Sequence, residues 1–202
     1  MREVVAVVLA GGRGTRFEDG NKLLATVDRE PIVSRAARSL DVNGVDYTVA
    51  ILGHEADAVR EIVAPTVDET RNNPEYARGQ SRSVRVGTRA ASERGADAAL
   101  FLPGDMPCID ESTVKRLVET YREDRHDVVV PTYEGQRGNP VLFDATHFDA
   151  LRDVTGDTGG RALLEAADVH RVPVDDPGIR IDIDTVADLE RLRQSDCGDQ
   201  RA

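Results

Sequence analysis

The sequence predicts a three-layer α/β/α protein with a mainly parallel mixed sheet, and three observations carry that expectation. Val4–Leu9 is an unbroken, Val-rich apolar run, as in a strand buried on both faces. Further apolar runs at Tyr47–Leu52 and Ala98–Leu102 are separated by segments of helical length and period. Each of these runs ends in Gly or Pro-Gly, the punctuation of a strand that gives way to a loop.

Taken in order, β-loop-α-β-α-β-α-β describes the first half. Ile32, Val33, Ala36, Ala37 and Leu40 recur at helical spacing behind Pro31, a residue favoured at a helix start. Ala56, Val59, Ile62 and Val63 mark the next helix, and Thr66–Arg71 a short strand. The segment 73–79 is too polar for a strand and too long for a tight turn, and Val84, Gly87, Ala90 and Ala91 then share a helix face. The second half is less regular. Helix is expected at Ser112–Tyr121, strands at Asp127–Tyr133 and Arg137–Phe143, and helix from Gly160 to Ala167. Strands at Val169–Val174 and Arg180–Ile183 precede a helix from Thr185 to Arg193. Residues 1–194 read as one domain and 195–202 as a disordered tail.

Composition narrows the function. The net charge is −11, with 37 acidic against 26 basic residues, which argues against a nucleic-acid polymer or an anionic membrane as partner. Only Lys22 and Lys115 are lysines, and an acidic surface so poor in Lys suits a protein kept hydrated in high salt. Two cysteines, Cys108 and Cys197, are too few for a disulfide framework or zinc cluster, so the cytoplasm is the default compartment and Cys108 reads as a small buried residue. No apolar run is long enough to span a bilayer.

The scarce positive charge gathers after the first strand. Leu9-Ala10-Gly11-Gly12-Arg13-Gly14-Thr15-Arg16 combines three glycines and two arginines, with Lys22 six residues further on. Glycines let backbone N–H groups approach phosphate oxygens, while Arg and Lys neutralise a triphosphate. The spacing excludes a Walker A loop, and a polar stretch stands where a dinucleotide fingerprint would open its helix. Asp105 closes another apolar strand, at the sheet edge where α/β proteins bind ligands. A carboxylate there calls for a cation or a backbone turn to satisfy it. The four histidines share no metal spacing or triad pattern.

The string LAGGRGTRF with Lys22 resembles the signature of nucleotidylyltransferases with a glycosyltransferase-A-like fold. NKLL at 21–24, NPEYARGQSRSVRVG at 73–87, PGDMP at 103–107, PTYEGQRGNPVLF at 131–143, TGDTGGRALL at 155–164 and DDPGIRIDIDT at 175–185 resemble, in order, MobA-like enzymes. Within these they are most similar to the molybdenum cofactor cytidylyltransferase (MocA-like) branch. The resemblance implies transfer of CMP or GMP from CTP or GTP to the phosphate of molybdopterin, with Mg²⁺ as cofactor and a molybdoenzyme or its chaperone as partner.

It further implies that Arg16, Lys22 and Asp105 are catalytic, and that Asp105 and Asp184 hold the metal with Asp182 as the substitute for Asp184. Leu9, Ala10, Gly11, Gly12, Arg13, Gly14, Lys22, Asn73 and Gly79 would bind the nucleotide. Arg137, Asn139, Gly159, Gly160 and Arg161 would bind the acceptor. Two departures stand out: Asn139 replaces a His common in the branch, and Ala10-Gly11-Gly12 is the guanylyltransferase form of a loop that usually reads Ala-Ala-Gly. The methyl absent at Gly11 is expected to leave room for a purine. A sugar-1-phosphate nucleotidylyltransferase and a noncatalytic nucleotide-binding module are the alternatives. Ser81 and Ser83 suit helix capping as well as ligand contact, and Asp184-Thr185 also reads as a helix cap.

Overall fold

The computed structural model describes residues 2–12, 14, 17–18, 20–124, 126–156, 164, 167–195 and 197. Ten strands are defined among them: β1 (Val4–Ala10), β2 (Thr26–Val27), β3 (Glu30–Pro31), β4 (Tyr47–Leu52), β5 (Glu69–Asn72), β6 (Ala98–Pro103), β7 (Val128–Tyr133), β8 (Gln136–Arg137), β9 (Val141–Asp144) and β10 (Val169–Pro173). The helices are α1 (Ile32–Arg38), α2 (Ala56–Val63), α3 (Gln80–Arg94), α4 (Glu111–Asp124), α5 (Phe148–Asp153) and α6 (Val186–Gln194). The main sheet runs β10-β7-β9-β6-β1-β4-β5, with β8 paired to β7. β1 pairs in parallel with β4 and β6, and β4 with β5, whereas β9 is antiparallel to both β6 and β7. β2 and β3 form a separate small hairpin.

β1 shows why its sequence carries no alternation. Val4, Ala6, Val8 and Ala10 pack into one core layer with residues of α1, α2 and α4, while Val5 and Val7 pack into the opposite layer with α3 and α5. Both faces are covered, so both sets must be apolar. α3 lies directly on the strand. A Cβ at Gly87 would come within 2.5 Å of Val7 Cγ1, so only glycine allows this helix to approach so closely.

Two expected elements change in the second half, and a third lies largely outside the described residues. The stretch 137–143 divides into β8 and β9 around Gly138-Asn139-Pro140, because Pro140 has no N–H for a ladder and the Gly138 and Asn139 amides bond instead to Pro131 O and Ile179 O. The strand expected at 180–183 is a 3₁₀ turn at Pro177–Arg180, which Asp176 caps by accepting from Gly178 N at 2.9 Å, followed by extended chain. The helix expected at 160–167 falls largely outside the described residues, although Leu164 and Ala167 pack against the α3/α5 layer.

The cysteines also depart from expectation. Cys108 and Cys197 form a disulfide across 89 residues, tying the chain beyond α6 to the loop after β6. Cysteine count could exclude a framework but not one bond between distant segments. No helix among the described residues is long and apolar enough to cross a membrane.

Behind the sheet, the fully buried Tyr121 of α4 places its hydroxyl 2.8 Å from both Asp144 Oδ2 and Asp97 O. Burial and the Asp144 carboxylate push this phenol well above its ordinary pKa. Burial opposes charge on Asp144, but the Thr146 amide and the Tyr121 hydroxyl outweigh it and hold the carboxyl below its usual range. The stabilisation is therefore present at neutral pH and is lost as pH falls through the native Asp144 pKa. Asp144→Asn is expected to lower stability by about 1–2 kcal/mol at neutral pH. In urea unfolding, the gap from the unsubstituted protein should close in acid.

Candidate functional site

The parallel strands β1, β4, β5 and β6 end on one edge of the sheet, and the segments that follow β1, β5 and β6 help to line a cavity of about 830 Å³. Gly104 N donates to Leu9 O at 3.0 Å, and a Cβ at Gly104 would lie 3.3 Å from that oxygen, so the turn carrying Asp105 sits beside the glycine loop. Lys22 comes from the turn at 21–24. Leu24 N bonds to Asn21 O at 3.0 Å, and buried Leu23 accepts from Val33 N of α1 at 3.1 Å, which fixes the turn to the core.

Lys22 is the centre of the site. Its Nζ donates to Asp105 Oδ2 at 2.6 Å and to Asp184 Oδ1 at 2.8 Å, and the residue is only 8% exposed. Burial disfavours its charge, yet Asp105 and then Asp184 outweigh burial and raise the ammonium's pKa, so Lys22 remains a cation. Asp182 lines the same cavity, where burial followed by the charges of Asp105 and Asp184 pushes its carboxyl upward.

The carrier of Asp182 and Asp184 is held directly, because Ile183 N donates to Asp105 O at 3.0 Å while the Ile183 side chain is buried in a third apolar cluster. Residues two apart on extended chain share a face, and Asp182 and Asp184 both line the cavity. Helix capping falls to Thr185 and Asp188, which form a reciprocal capping box on α6.

Leu9, Gly11, Gly12, Gly14, Lys22, Gly79, Asp105, Asp184, Arg137 and Asn139 all line the cavity. Ala10 does not; it is fully buried in the core. Asn73 also stands behind the wall, 3% exposed, with its Nδ2 donating to Ser83 Oγ at 3.0 Å and its Oδ1 accepting from Glu75 N at 3.0 Å. Arg13, Arg16, Gly159, Gly160 and Arg161 lie outside the described residues. None of the four histidines reaches the cavity lining.

Ser83, Tyr76, Gln80 and Arg180 line the cavity without having been assigned a definite role from sequence. Neither Ser81 nor Ser83 caps α3, whose first turn follows Gly79 at φ 108°, a left-handed value suited to glycine. The signal at Ser83 was its place one helical turn after Gly79. Its role comes from a long-range approach instead: a Cβ at Gly11 would lie 2.6 Å from Ser83 Oγ. The glycine thus relieves a contact with α3.

Residues 6–172 match the MobA-like NTP transferase domain, and the chain belongs to that family. It is 31% identical over 153 residues to the bifunctional protein GlmU of Clostridioides difficile, covering 75% of this chain but 31% of that protein. The chain thus spans about a third of the length of such GlmU relatives. Nicotine blue oxidoreductase of Paenarthrobacter nicotinovorans is 28% identical over 199 residues, covering 94% of this chain and 96% of that protein. Among solved structures, Rv0371c from Mycobacterium tuberculosis superposes with a TM-score of 0.81 at 26% identity, over 96% of this chain and 99% of that one. A structure of Rv0371c in complex with manganese superposes with a TM-score of 0.78.

The Gly11–Ser83 approach gives a direct test. Gly11→Ala is expected to cost about 1–3 kcal/mol by overpacking and to weaken nucleotide binding. Combining it with Ser83→Ala should recover most of the stability, measured by thermal unfolding of the two single variants and the double variant.

Proposed function

We propose that this protein transfers a nucleotidyl group from CTP, with GTP as the second candidate, to the terminal phosphate of a molybdopterin-type acceptor, with release of pyrophosphate. The observation that carries this reading is the meeting of Lys22 with Asp105 and Asp184 beside a glycine loop, in a cavity that Arg137 and Asn139 also line. Family membership and the ordered sequence blocks support it.

An acceptor phosphate oxygen attacks the α-phosphorus in line. The new P–O bond forms as the bond to the bridging oxygen breaks, and that electron pair leaves with pyrophosphate. A phosphate nucleophile is already anionic, so the chain needs to align it and stabilise charge rather than supply a strong base. Glycine amides of the loop at 11, 12 and 14 are suited to the triphosphate, and Lys22 brings a compact positive charge to the same place. Arg13 and Arg16 are assigned to the leaving phosphates on sequence spacing and resemblance. Gly159, Gly160 and Arg161 are assigned to the acceptor on the same grounds, as is Asn139, whose Nδ2 lies 3.3 Å from Met106 Sδ beside Asp105.

A hard divalent cation fits the donors present. Asp105 and Asp184 already gather their oxygens around an ammonium, and the raised Asp182 carboxyl marks a site short of positive charge. Among the described residues no three His, Cys, Asp or Glu side chains form a metal cluster, so phosphate oxygens and water would complete the shell, as Mg²⁺ prefers. Asp105 and Asp184 would hold Mg²⁺, which when bound neutralises charge on the triphosphate.

A sugar-1-phosphate acceptor is the second reading, favoured by the Gly11–Arg16 loop. Both readings share the machinery and differ in acceptor. Incubation with Mg²⁺ and each NTP, with molybdopterin or sugar phosphates supplied, separates them by which mixture releases pyrophosphate. Asp105→Asn is expected to lower that release about 100-fold or more while leaving the circular dichroism spectrum unchanged. Retained Mg²⁺-dependent release would contradict the assignment.

A further inference from the structure

We infer that the Cys108–Cys197 disulfide is a thiol-reversible staple. While it is formed, α6 and Asp184 are held in place; its reduction by a dithiol releases them and weakens nucleotide binding, a consequence that rests on the nucleotidyl-transfer reading above. The bond joins the loop three residues past Asp105 to the chain beyond α6. Its two ends are held differently. The loop is fixed without it, because Asp176 Oδ2 accepts from Asp110 N at 3.0 Å and from Thr113 Oγ1 at 2.8 Å. The Cys108 backbone also lies against the turn at 177–180, where a Cβ at Gly178 would come within 1.8 Å of Cys108 O. α6 is held by Leu189 and Leu192, which join Phe17, Ile183 and Cys108 in a small apolar cluster apart from the two main core layers, and by Arg193, whose Nη2 donates to Thr26 O at 2.8 Å. That cluster adjoins the chemistry, since Ile183 stands between Asp182 and Asp184. Without the bond the loop keeps its anchors, so the loss of restraint falls on α6 and on Asp184 at its foot.

Cys108 is buried whereas Cys197 is half-buried, so an attacking thiolate reaches Cys197 Sγ first. The S–S bond breaks, Cys108 leaves as a thiolate, and a mixed disulfide forms at Cys197. The reductant's second thiolate then attacks its own sulfur in that mixed disulfide, which releases Cys197 and leaves the reductant as a disulfide. Two electrons and two protons have then passed from the dithiol to the chain. Arg35 Nη2 lies 3.6 Å from Cys197 Sγ and brings positive charge to the sulfur that leaves in this second step and attacks when the bond re-forms. The chain has no other cysteine to compete in the exchange.

The test uses the full chain equilibrated with oxidised or with reduced dithiothreitol. Thiol titration of the denatured protein should find no free thiol after oxidation and both cysteines free after reduction. On reduction, amide hydrogen exchange over 186–194 should speed up about tenfold or more while β1 and β6 keep their protection. Affinity for a non-hydrolysable analogue of CTP or GTP with Mg²⁺ should fall about tenfold, as when the competent state drops to about a tenth of the population. Cys197→Ala should match the reduced protein and no longer respond to dithiothreitol. Free thiols after oxidation would overturn the inference, as would equal exchange over α6 in the two states, or unchanged analogue affinity alongside faster exchange. A Cys197→Ala protein that responds to dithiothreitol as the intact chain does would overturn it too. If the oxidised chain binds neither analogue while α6 still responds to reduction, the nucleotidyl-transfer reading fails and the staple stands.

Discussion

One buried ammonium organises the site. Lys22 joins the turn after the glycine loop, the end of β6 and the segment entering α6, three pieces of chain that share no sequence neighbourhood. Among the described residues the charges are uneven: one ammonium is set against Asp105 and Asp184, with Asp182 alongside in the same cavity, an arrangement that favours a further cation. Removing any partner from a pair as buried as this strands charge in a place poorly reached by water. Under the proposed function, that arrangement would receive a triphosphate together with a divalent ion.

The scaffold holds these groups by backbone contacts more than by side chains. Gly104 N to Leu9 O and Ile183 N to Asp105 O set the two aspartate-bearing segments against β1 and against each other. The disulfide from Cys108 to Cys197 and the Thr185–Asp188 capping box then fix α6, which begins just after Asp184. The β7–β8 corner brings Arg137 and Asn139 to the same cavity, and β9 then returns antiparallel between β7 and β6. The parallel half of the sheet thus carries the glycine loop, and the mixed half carries Arg137 and Asn139.

Much of this was legible because it depends on local pattern. The apolar runs of β1, β4 and β6, covered on both faces, cannot read as anything but buried strands, and chemistry-bearing residues at their carboxyl ends follow from the topology of α/β sheets. Lys22 and Asp105 were found in this way. What escaped depends on distance in sequence. The pairing of Cys108 with Cys197, the approach of Gly11 to Ser83 and the backbone contact between Gly138 and Ile179 have no local signature. The segment Arg180–Ile183 carries an alternating pattern that suggests a strand, but Asp176 turns the preceding chain into a 3₁₀ loop and Asp105 O, rather than a neighbouring strand, accepts the Ile183 amide. Asn73, read as a nucleotide contact, instead supports the Ser83 hydroxyl from behind.

Lys22 is the charge that makes the carboxylate cluster tolerable and, under the proposed function, receives the triphosphate. The most direct measurement of this role compares Lys22→Met with Lys22→Met/Asp105→Asn/Asp184→Asn in thermal unfolding and in titration with an NTP. Lys22→Met alone is expected to lose more than about 1 kcal/mol of stability, removal of the two carboxylates to restore it, and neither variant to regain nucleotide binding. A Lys22→Met protein as stable as the original, binding nucleotide with the same affinity, would contradict that role.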